Sequence, residues 1–303
     1  MKVLFAVDGS SGSFDAVAQV GPLLNPAQDQ LALYCAPPDT AKLSPRTNPE
    51  VLGRARQGLV DAIFDEARKQ LPAALQANVQ TITGAHDPRH GIVTAAAEWG
   101  AELIVVGARG LGALQRMLLG SVSRAVVHAA KVPVWVARVG KRSIAHPGVN
   151  VLVACEDPEK GCRQAEALAA FSWPSGSTCH TLTVVPSMFA GAVPDWLQEQ
   201  ARSPDVEEMV QAWAREHDQE LQAMRQRMSA FCQKLPTAFT QREPVVTEGE
   251  PASVILNSVA KDQIDVVVLG VHRKNWLTAT LLGSTSEAVL NHASCSVVIV
   301  PNR

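Results

Sequence analysis

Short apolar runs alternate with longer amphipathic stretches along the chain. In the first half, runs rich in Val, Ile and Leu occupy residues near 2–7, 31–36, 79–83, 102–106 and 133–137. Helical patterns lie between them, near residues 13–21, 49–71, 89–99 and 121–130. Nearly continuous apolar strands that alternate with helices are typical of a parallel sheet covered on both faces. The pattern predicts an α/β fold that binds ligands beyond the carboxyl ends of its strands.

The same pattern occurs twice. V-L-F-A-V-D at Val3 resembles V-L-V-A-C-E at Val151, and G-S-V-S-R-A-V-V at Gly120 resembles G-S-T-S-E-A-V-L at Gly283. The first two segments are 148 residues apart and the last two are 163 apart, so the second half carries an insertion. We expect it to lengthen a polar helix near 205–233. The repeat predicts two tandem Rossmann-like domains with five parallel strands each, residues 1–140 and 150–303.

Composition narrows the class of protein. The chain has 303 residues, of which 47% are hydrophobic and 18% charged, which is typical of a packed globular protein. A net charge of −2 gives no reason to expect a nucleic-acid surface. No apolar run approaches the ~18 residues that span a bilayer, so we expect no membrane contact. Six cysteines without a C-x-x-C pair predict reduced thiols in a cytoplasmic protein.

A glycine cluster follows the fourth apolar run. Gly107, Gly110 and Gly120 give the spacing G-x2-G-x9-G, with Ser121 and Ser123 next. Glycines let a backbone approach an anion closely, and the unpaired N–H groups at a helix N-terminus attract phosphate. The serine hydroxyls could add donors. The alternative for both serines is ordinary N-capping of the helix that follows.

These residues resemble the ATP-binding universal stress protein family, whose motif is G-x2-G-x9-G followed by Ser or Thr. The first strand and its turn, V-D-G-S-S-G-S-F-D-A, also match the family's V-D-G-S-x-x-S-x-x-A. The resemblance covers both halves and implies tandem domains of the adenine nucleotide alpha hydrolase-like kind. It implies a site for ATP with Mg²⁺ in the first half, made by Ala6, Val7, Asp8, Ser10, Cys35, Ala36, Gly107, Arg109, Gly110, Gly120, Ser121, Val122 and Ser123.

The resemblance also assigns parts of the ligand to these residues. The residues around Asp8 would hold the adenosine, Cys35 and Ala36 would line the adenine pocket, and the glycine loop would hold the phosphates. In the family the fifth strand commonly pairs subunits. Residues 133–137 and 296–300 would then pair within one chain, which would imitate a dimer. A homodimer of tandem chains and an unidentified protein partner stay open.

The second half departs from the motif. Arg273 replaces the middle glycine, and Glu156 stands where Asp8 stands in the first half. A side chain at 273 could fill the phosphate space, or its guanidinium could contact phosphate. The second half is therefore a weaker candidate site, made by Glu156, Gly270, Arg273, Gly283, Ser284 and Ser286.

Three functions remain open. The first is a regulatory ATP-binding protein of the stress response, with at most slow ATP hydrolysis or autophosphorylation. The second is an adenylating ATP pyrophosphatase-like enzyme, whose phosphate loop S-G-G-x-D-S is partly matched by Ser11–Ala16. The third is a scaffold that binds no nucleotide. No nucleophile with an orienting base is readable, so no catalytic residue is predicted. His86 and His90 could share a metal, but Asp87 and Pro88 predict a helix start between them, so no metal site is expected.

Overall fold

The computed structural model describes residues 1–37, 48–84, 87–108, 119–138, 148–158, 161–185, 204–272 and 282–302. The strands in these residues are β1 (Lys2–Ala6), β2 (Gln30–Cys35), β3 (Val79–Thr83), β4 (Leu103–Gly107), β5 (Val134–Ala137), β6 (Asn150–Ala154), β7 (Thr178–Val185), β8 (Thr240–Gln241), β9 (Val245–Glu248), β10 (Val266–His272) and β11 (Ser296–Asn302). The five strands predicted in the first half are all present.

Several helices begin at a residue whose side chain caps them. Asp87 accepts a hydrogen bond from the Arg89 N–H, Pro88 takes the first helical position, and Gly100 ends the same helix with a positive φ. The helices are α1 (Ser11–Val20), α2 (Pro49–Lys69), α3 (Ala73–Gln76), α4 (Pro88–Trp99), α5 (Ser121–Ala129), α6 (Cys162–Ala169), α7 (Pro204–Cys232), α8 (Pro251–Lys261) and α9 (Ser284–His292).

The described strands form one continuous sheet. Its order is β3-β2-β1-β4-β5-β11-β10-β6-β7-β8, with β9 also beside β7. Every pairing is parallel except that of β5 with β11, which is antiparallel. The predicted pairing of the two fifth strands is therefore present, and it joins two parallel halves into one sheet.

Successive side chains of each strand point to opposite faces of the sheet. Because helices cover both faces, these side chains form two separate cores. Val3 and Phe5 point to the face covered by α1, α2, α6 and α7. Leu4 points to the face covered by α4, α5, α8 and α9. Each half is a Rossmann-like layer of helices on a parallel sheet, as the alternating pattern predicted.

The second half differs from the first at its outer edge. Its third strand is split into β8 and β9, which both pair with β7. Pro244 lies in the break, and proline has no N–H to donate to a sheet. The helix before the break, α7, has 29 residues against 21 in α2, so the insertion lengthens this helix as predicted. The domain limits 1–140 and 150–303 remain a prediction.

No helix in the described ranges has both the length and the apolar character needed to cross a bilayer.

A hydrogen-bonded pair of ionisable side chains, His217 and Glu248, connects the long helix α7 to the sheet. His217 Nε2 lies 2.5 Å from Glu248 Oε1 on β9. The hydrogen bond with Glu248 raises the pKa of His217 above its usual value, and the negative charges of Glu248, Glu220 and Asp218 add to this. Protonated His217 therefore stabilises the fold.

The contribution of His217 to stability is expected to depend on pH. It is fully present below the unfolded pKa of about 6.5 and is lost as pH rises through the higher folded pKa. The difference in melting temperature between the wild type and His217→Gln should therefore shrink from about pH 6 to about pH 9. Glu248→Gln should behave like His217→Gln. A difference that stays constant with pH would contradict this assignment.

Candidate functional site

The strand order places a crevice between β1 and β4. The chain passes from β1 to β2 on one side and returns to β4 on the other, so their carboxyl ends form a switch point. Ala6 on β1 is in register with Tyr34 on β2 and with Val106 on β4. The residues that follow these three strands therefore meet at one edge of the sheet.

Asp8 organises the turn after β1. Its Oδ1 accepts hydrogen bonds from the Ser10 N–H at 3.0 Å and from the Ser10 hydroxyl at 2.5 Å. Ser10 in turn caps α1 by accepting a hydrogen bond from the Ser13 N–H at 3.3 Å. No described residue donates to Asp8 Oδ2. A carboxylate oxygen of this kind suits a ribose hydroxyl or Mg²⁺.

Gly107 brings the end of β4 against the start of α1. A Cβ at this position would lie 2.6 Å from the carbonyl oxygen of Gly12 and 2.8 Å from its carbonyl carbon. The backbone of α1 thus occupies the space that a side chain at position 107 would need. The sequence analysis assigned the close approach at Gly107 to phosphate, but in the structure it is an approach of α1 to β4.

The N-terminus of α5 lies directly against the end of β4, and the Gly120 N–H donates to the Ala108 carbonyl at 2.8 Å. Gly120 occupies the cap position, and no side chain of the described residues caps the helix there. Ser121 is exposed, whereas Ser123 is buried and donates its hydroxyl to the Gly107 carbonyl at 2.6 Å. N-capping by Ser121 or Ser123 is therefore wrong. The first N–H groups of α5, at Ser121 and Val122, carry the positive end of the helix dipole.

The adenine side of the candidate site contains a buried thiol. Cys35 is 1% exposed, and burial raises its pKa to about 11, with the negative charge of Asp8 adding to the effect. This coupling places Asp8 and Cys35 in the same local environment. Ala36 follows Cys35 and is half-buried.

Tyr34 is a residue of this edge that the sequence did not single out. Its hydroxyl is buried and has no hydrogen-bond partner among the described residues. Burial raises the pKa of this phenol, and the neighbouring Cys35 and Asp87 add smaller effects. Gly84 packs so closely on the ring that a Cβ there would lie 1.8 Å from the hydroxyl oxygen. Only the pairing of β2 with β3 brings these residues together.

The first half thus brings most of its predicted site residues to one edge. Ala6, Val7, Asp8, Ser10, Cys35, Ala36, Gly107, Gly120, Ser121, Val122 and Ser123 all follow or end the strands β1, β2 and β4 or begin α5. Arg109 and Gly110 lie outside the described residues, together with the loop that carries them.

The equivalent turn of the second half is built differently. α6 begins at Cys162, six residues after Glu156, whereas α1 begins three residues after Asp8. Glu156 is exposed. Gln164 is 1% exposed and donates its amide to the Ala154 carbonyl at 3.0 Å, so it caps the end of β6 from within.

The long helix α7 reaches the remaining part of this second crevice. Met228 Sδ lies 3.7 Å from Cys155 Sγ and 3.0 Å from Thr183 Oγ1. Thr183 also donates to the Cys155 carbonyl at 3.0 Å. By register, Thr183 occupies the position of Cys35, and burial raises the Cys155 pKa to about 12.

The other predicted residues of the second site differ in their exposure to solvent. Gly270 is half-buried near the end of β10, Gly283 and Ser284 are exposed at the start of α9, and Ser286 is buried. Arg273 lies outside the described residues. Sequence reasoning missed Gln164 and Met228. The repeat does carry a signal for Gln164, because the first half has the apolar Ala16 at that place.

The described residues contain no cluster of three or more His, Cys, Asp or Glu side chains suited to a metal ion. His90 instead contacts the capping residue of its helix, with Nδ1 2.9 Å from Asp87 Oδ2. His86 lies outside the described residues.

Comparisons with known proteins agree with this architecture. The model of the universal stress protein family matches residues 1–138 and 150–301. A universal stress protein of Mycolicibacterium smegmatis is 26% identical over 203 residues, which cover 67% of this chain and 63% of that protein. The universal stress protein YxiE of Bacillus subtilis is 30% identical over 149 residues, which cover 45% of this chain and 98% of YxiE.

Solved structures give the same result for the fold. A universal stress protein from Archaeoglobus fulgidus aligns over 100% of this chain and 98% of its own, with a TM-score of 0.64 and 20% identity. Because the family model matches both halves of the sequence, the chain belongs to the universal stress protein family.

Proposed function

We propose that the first half binds ATP with Mg²⁺ and that this chain is a nucleotide-dependent regulatory protein of the stress response. One observation carries the proposal: the Asp8 turn follows β1, and the N-terminus of α5 lies against the end of the neighbouring strand β4, so both stand at the switch point of the first half. The phosphates lie at the first N–H groups of α5, and the adenosine lies between Asp8 and the end of β2.

The turn at Ser11–Ser13 is a poor alternative phosphate site. The Ser13 N–H already donates to the Ser10 hydroxyl, and the Ser13 hydroxyl donates to the Ser10 carbonyl at 2.9 Å. The Ser13 side chain is also buried. An adenylating enzyme would need free donors at this turn, so the geometry favours the regulatory protein.

The second half is proposed to bind no nucleotide. Gln164 occupies the inner end of its crevice, and Met228 covers the position that corresponds to the adenine side. A ligand would have to displace a well-packed side chain and leave the Ala154 carbonyl without its donor. We therefore expect one molecule of Mg-ATP per chain in isothermal titration calorimetry.

Ser121→Pro is the sharpest test of the phosphate position. Proline at the first helical position removes one N–H yet preserves the helix, and Gly120 already has the extended conformation that must precede proline. A hydrogen bond to a charged group contributes about 1.5–3 kcal/mol, so affinity for Mg-ATP should fall about tenfold or more.

Ser284→Pro is the matched control, since Gly283 and Ser284 have the same geometry at the start of α9. It should leave ATP affinity unchanged. Unchanged affinity in Ser121→Pro would place the phosphates elsewhere, as the adenylating alternative requires, and release of AMP and pyrophosphate would establish that alternative. If millimolar Mg-ATP leaves the melting temperature of the wild type unchanged, the result would favour a scaffold protein that binds no nucleotide.

A further inference from the structure

The two halves meet around an approximate twofold axis on which unlike residues face each other. Trp135 on β5 pairs directly with Val298 on β11, and the flanking pairs are Val136 with Val297 and Val134 with Ile299. In the sequence repeat Val298 is the counterpart of Trp135, 163 residues later. Trp135 therefore faces its own equivalent position, which is occupied by a much smaller side chain.

The space around Trp135 is filled by the second half. Trp135 is fully buried, and its ring lies 5.3 Å from Phe171 and 6.5 Å from Trp173 between ring centroids. Phe171 and Trp173 also contact each other edge to face at 5.5 Å. Trp135 of the first half thus fits between Phe171 and Trp173 of the second half. The smaller Val298 lies opposite Trp135 at the equivalent position of the second half.

Charged residues show the same asymmetry on the opposite face of the sheet. Arg124 on α5 donates to Asn291 Oδ1 on α9 at 2.8 Å, and His128 Nε2 lies 2.6 Å from Glu287 Oε1. In the repeat, Glu287 is the counterpart of Arg124 and Asn291 that of His128. The approximate twofold axis therefore relates the contact of Arg124 with Asn291 to the contact of Glu287 with His128. Arg124 and Glu287 also approach each other to 3.7 Å.

We propose that this surface of the first half fits one kind of partner, the second half of the same fold, and rejects a second copy of the first half. The surface consists of Arg124, His128 and Trp135 on one side and Glu287, Asn291 and Val298 on the other. The chain therefore closes on itself through its two fifth strands and does not use them to join another chain.

The rejected pairings explain why the asymmetry matters. Two first halves would bring Trp135 against a second Trp135 and Arg124 towards a second Arg124. In that pairing Trp135 would lose its packing against Phe171 and Trp173, which belong to the second half, and like charges at an interface repel. Two second halves would place Val298 against Val298 and Glu287 towards Glu287, which leaves a void and again pairs like charges.

Two double-substitution cycles in the full-length chain test this proposal. In the charge cycle, Glu287→Arg makes the pair alike and should lower the melting temperature by about 2–4 °C. Arg124→Glu/Glu287→Arg restores opposite charges at this pair and should recover part of the loss, since the contact of Glu287 with His128 is not restored. Glu287→Gln removes the attraction without making the pair alike, so its effect should be smaller than that of Glu287→Arg.

In the size cycle, Val298→Trp should be strongly destabilising, and Trp135→Val/Val298→Trp should recover part of the loss. If Val298→Trp does not fold, the charge cycle still decides. The combined variant Glu287→Arg/Val298→Trp should unfold in two steps and sediment more slowly, because its halves separate. Additive effects in the charge cycle, or a wild-type chain that exchanges halves with a labelled second chain, would overturn the proposal.

Discussion

Replacing Gly107 by alanine is expected to lower the free energy of unfolding by about 3 kcal/mol or more. The new methyl group would lie 2.6 Å from the Gly12 carbonyl oxygen and 3.1 Å from the Ser13 nitrogen. These are backbone atoms of α1, so no side chain can rotate away and the helix itself must move. Urea unfolding followed by circular dichroism measures the loss.

The same substitution should also weaken binding of Mg-ATP, because a displaced α1 moves the Asp8 turn at the edge of the crevice. Gly58→Ala is the matched control. Gly58 lies within α2, and a Cβ there would meet no atom within 4 Å. Alanine should stabilise this helix by about 0.5–1 kcal/mol. If Gly107→Ala were as harmless as Gly58→Ala, the contact of α1 with β4 would not fix the position of α1 and of the Asp8 turn.

Replacing Trp135 by alanine is expected to cost about 3–5 kcal/mol. The side chain is fully buried at the junction of the two halves, and the aromatic rings of Phe171 and Trp173 pack on it. Its removal leaves a cavity that rigid strands on both sides cannot close. Because the cavity lies between the halves, their unfolding should also become less cooperative, with a broader denaturant transition.

Trp99→Ala provides a matched control for Trp135→Ala. Trp99 ends α4, is only half-buried, and donates its indole N–H to Gln80 Oε1 at 2.7 Å. We expect a smaller loss of stability there and no change in cooperativity. Equal effects at the two tryptophans would mean that the junction contributes no more than an ordinary surface contact.

The two halves have diverged in opposite directions at equivalent positions. The first half has Asp8 and a short turn, in which Ser10 donates to Asp8 and caps α1. The second half has a longer turn, and Gln164 and Met228 occupy the corresponding space. The inserted length of α7 supports this change, since Met228 lies in the last part of that helix.

The sequence alone was sufficient for the order of the elements in each half. Continuous apolar runs such as Leu103–Val106 can be buried only inside a doubly covered sheet, and caps such as Asp87 with Pro88 mark helix starts locally. The repeat likewise predicted the long helix of the second half, whereas the pairing of the two fifth strands was implied by the family resemblance. These features depend on neighbours in the chain or on comparison of its two halves.

The roles of individual site residues could not be read in the same way. Ser123 was a candidate phosphate donor or cap, but its hydroxyl binds the Gly107 carbonyl, sixteen residues away along the chain. Gly107 has no side chain because the Gly12 peptide lies there, although nothing near Gly107 in the sequence indicates α1. Gln164 and Met228 enter the second crevice from two different helices.

What the sequence by itself determined was the fold of each half, the tandem arrangement and the set of residues at the switch point. Hydrophobic periodicity and capping are local, so they can be read along the chain. Only the tertiary structure decided that Gln164 and Met228 pack into the second crevice and that Trp135 faces Val298. Those outcomes depend on the volumes and hydrogen bonds of residues far apart in the chain, which only packing brings into contact.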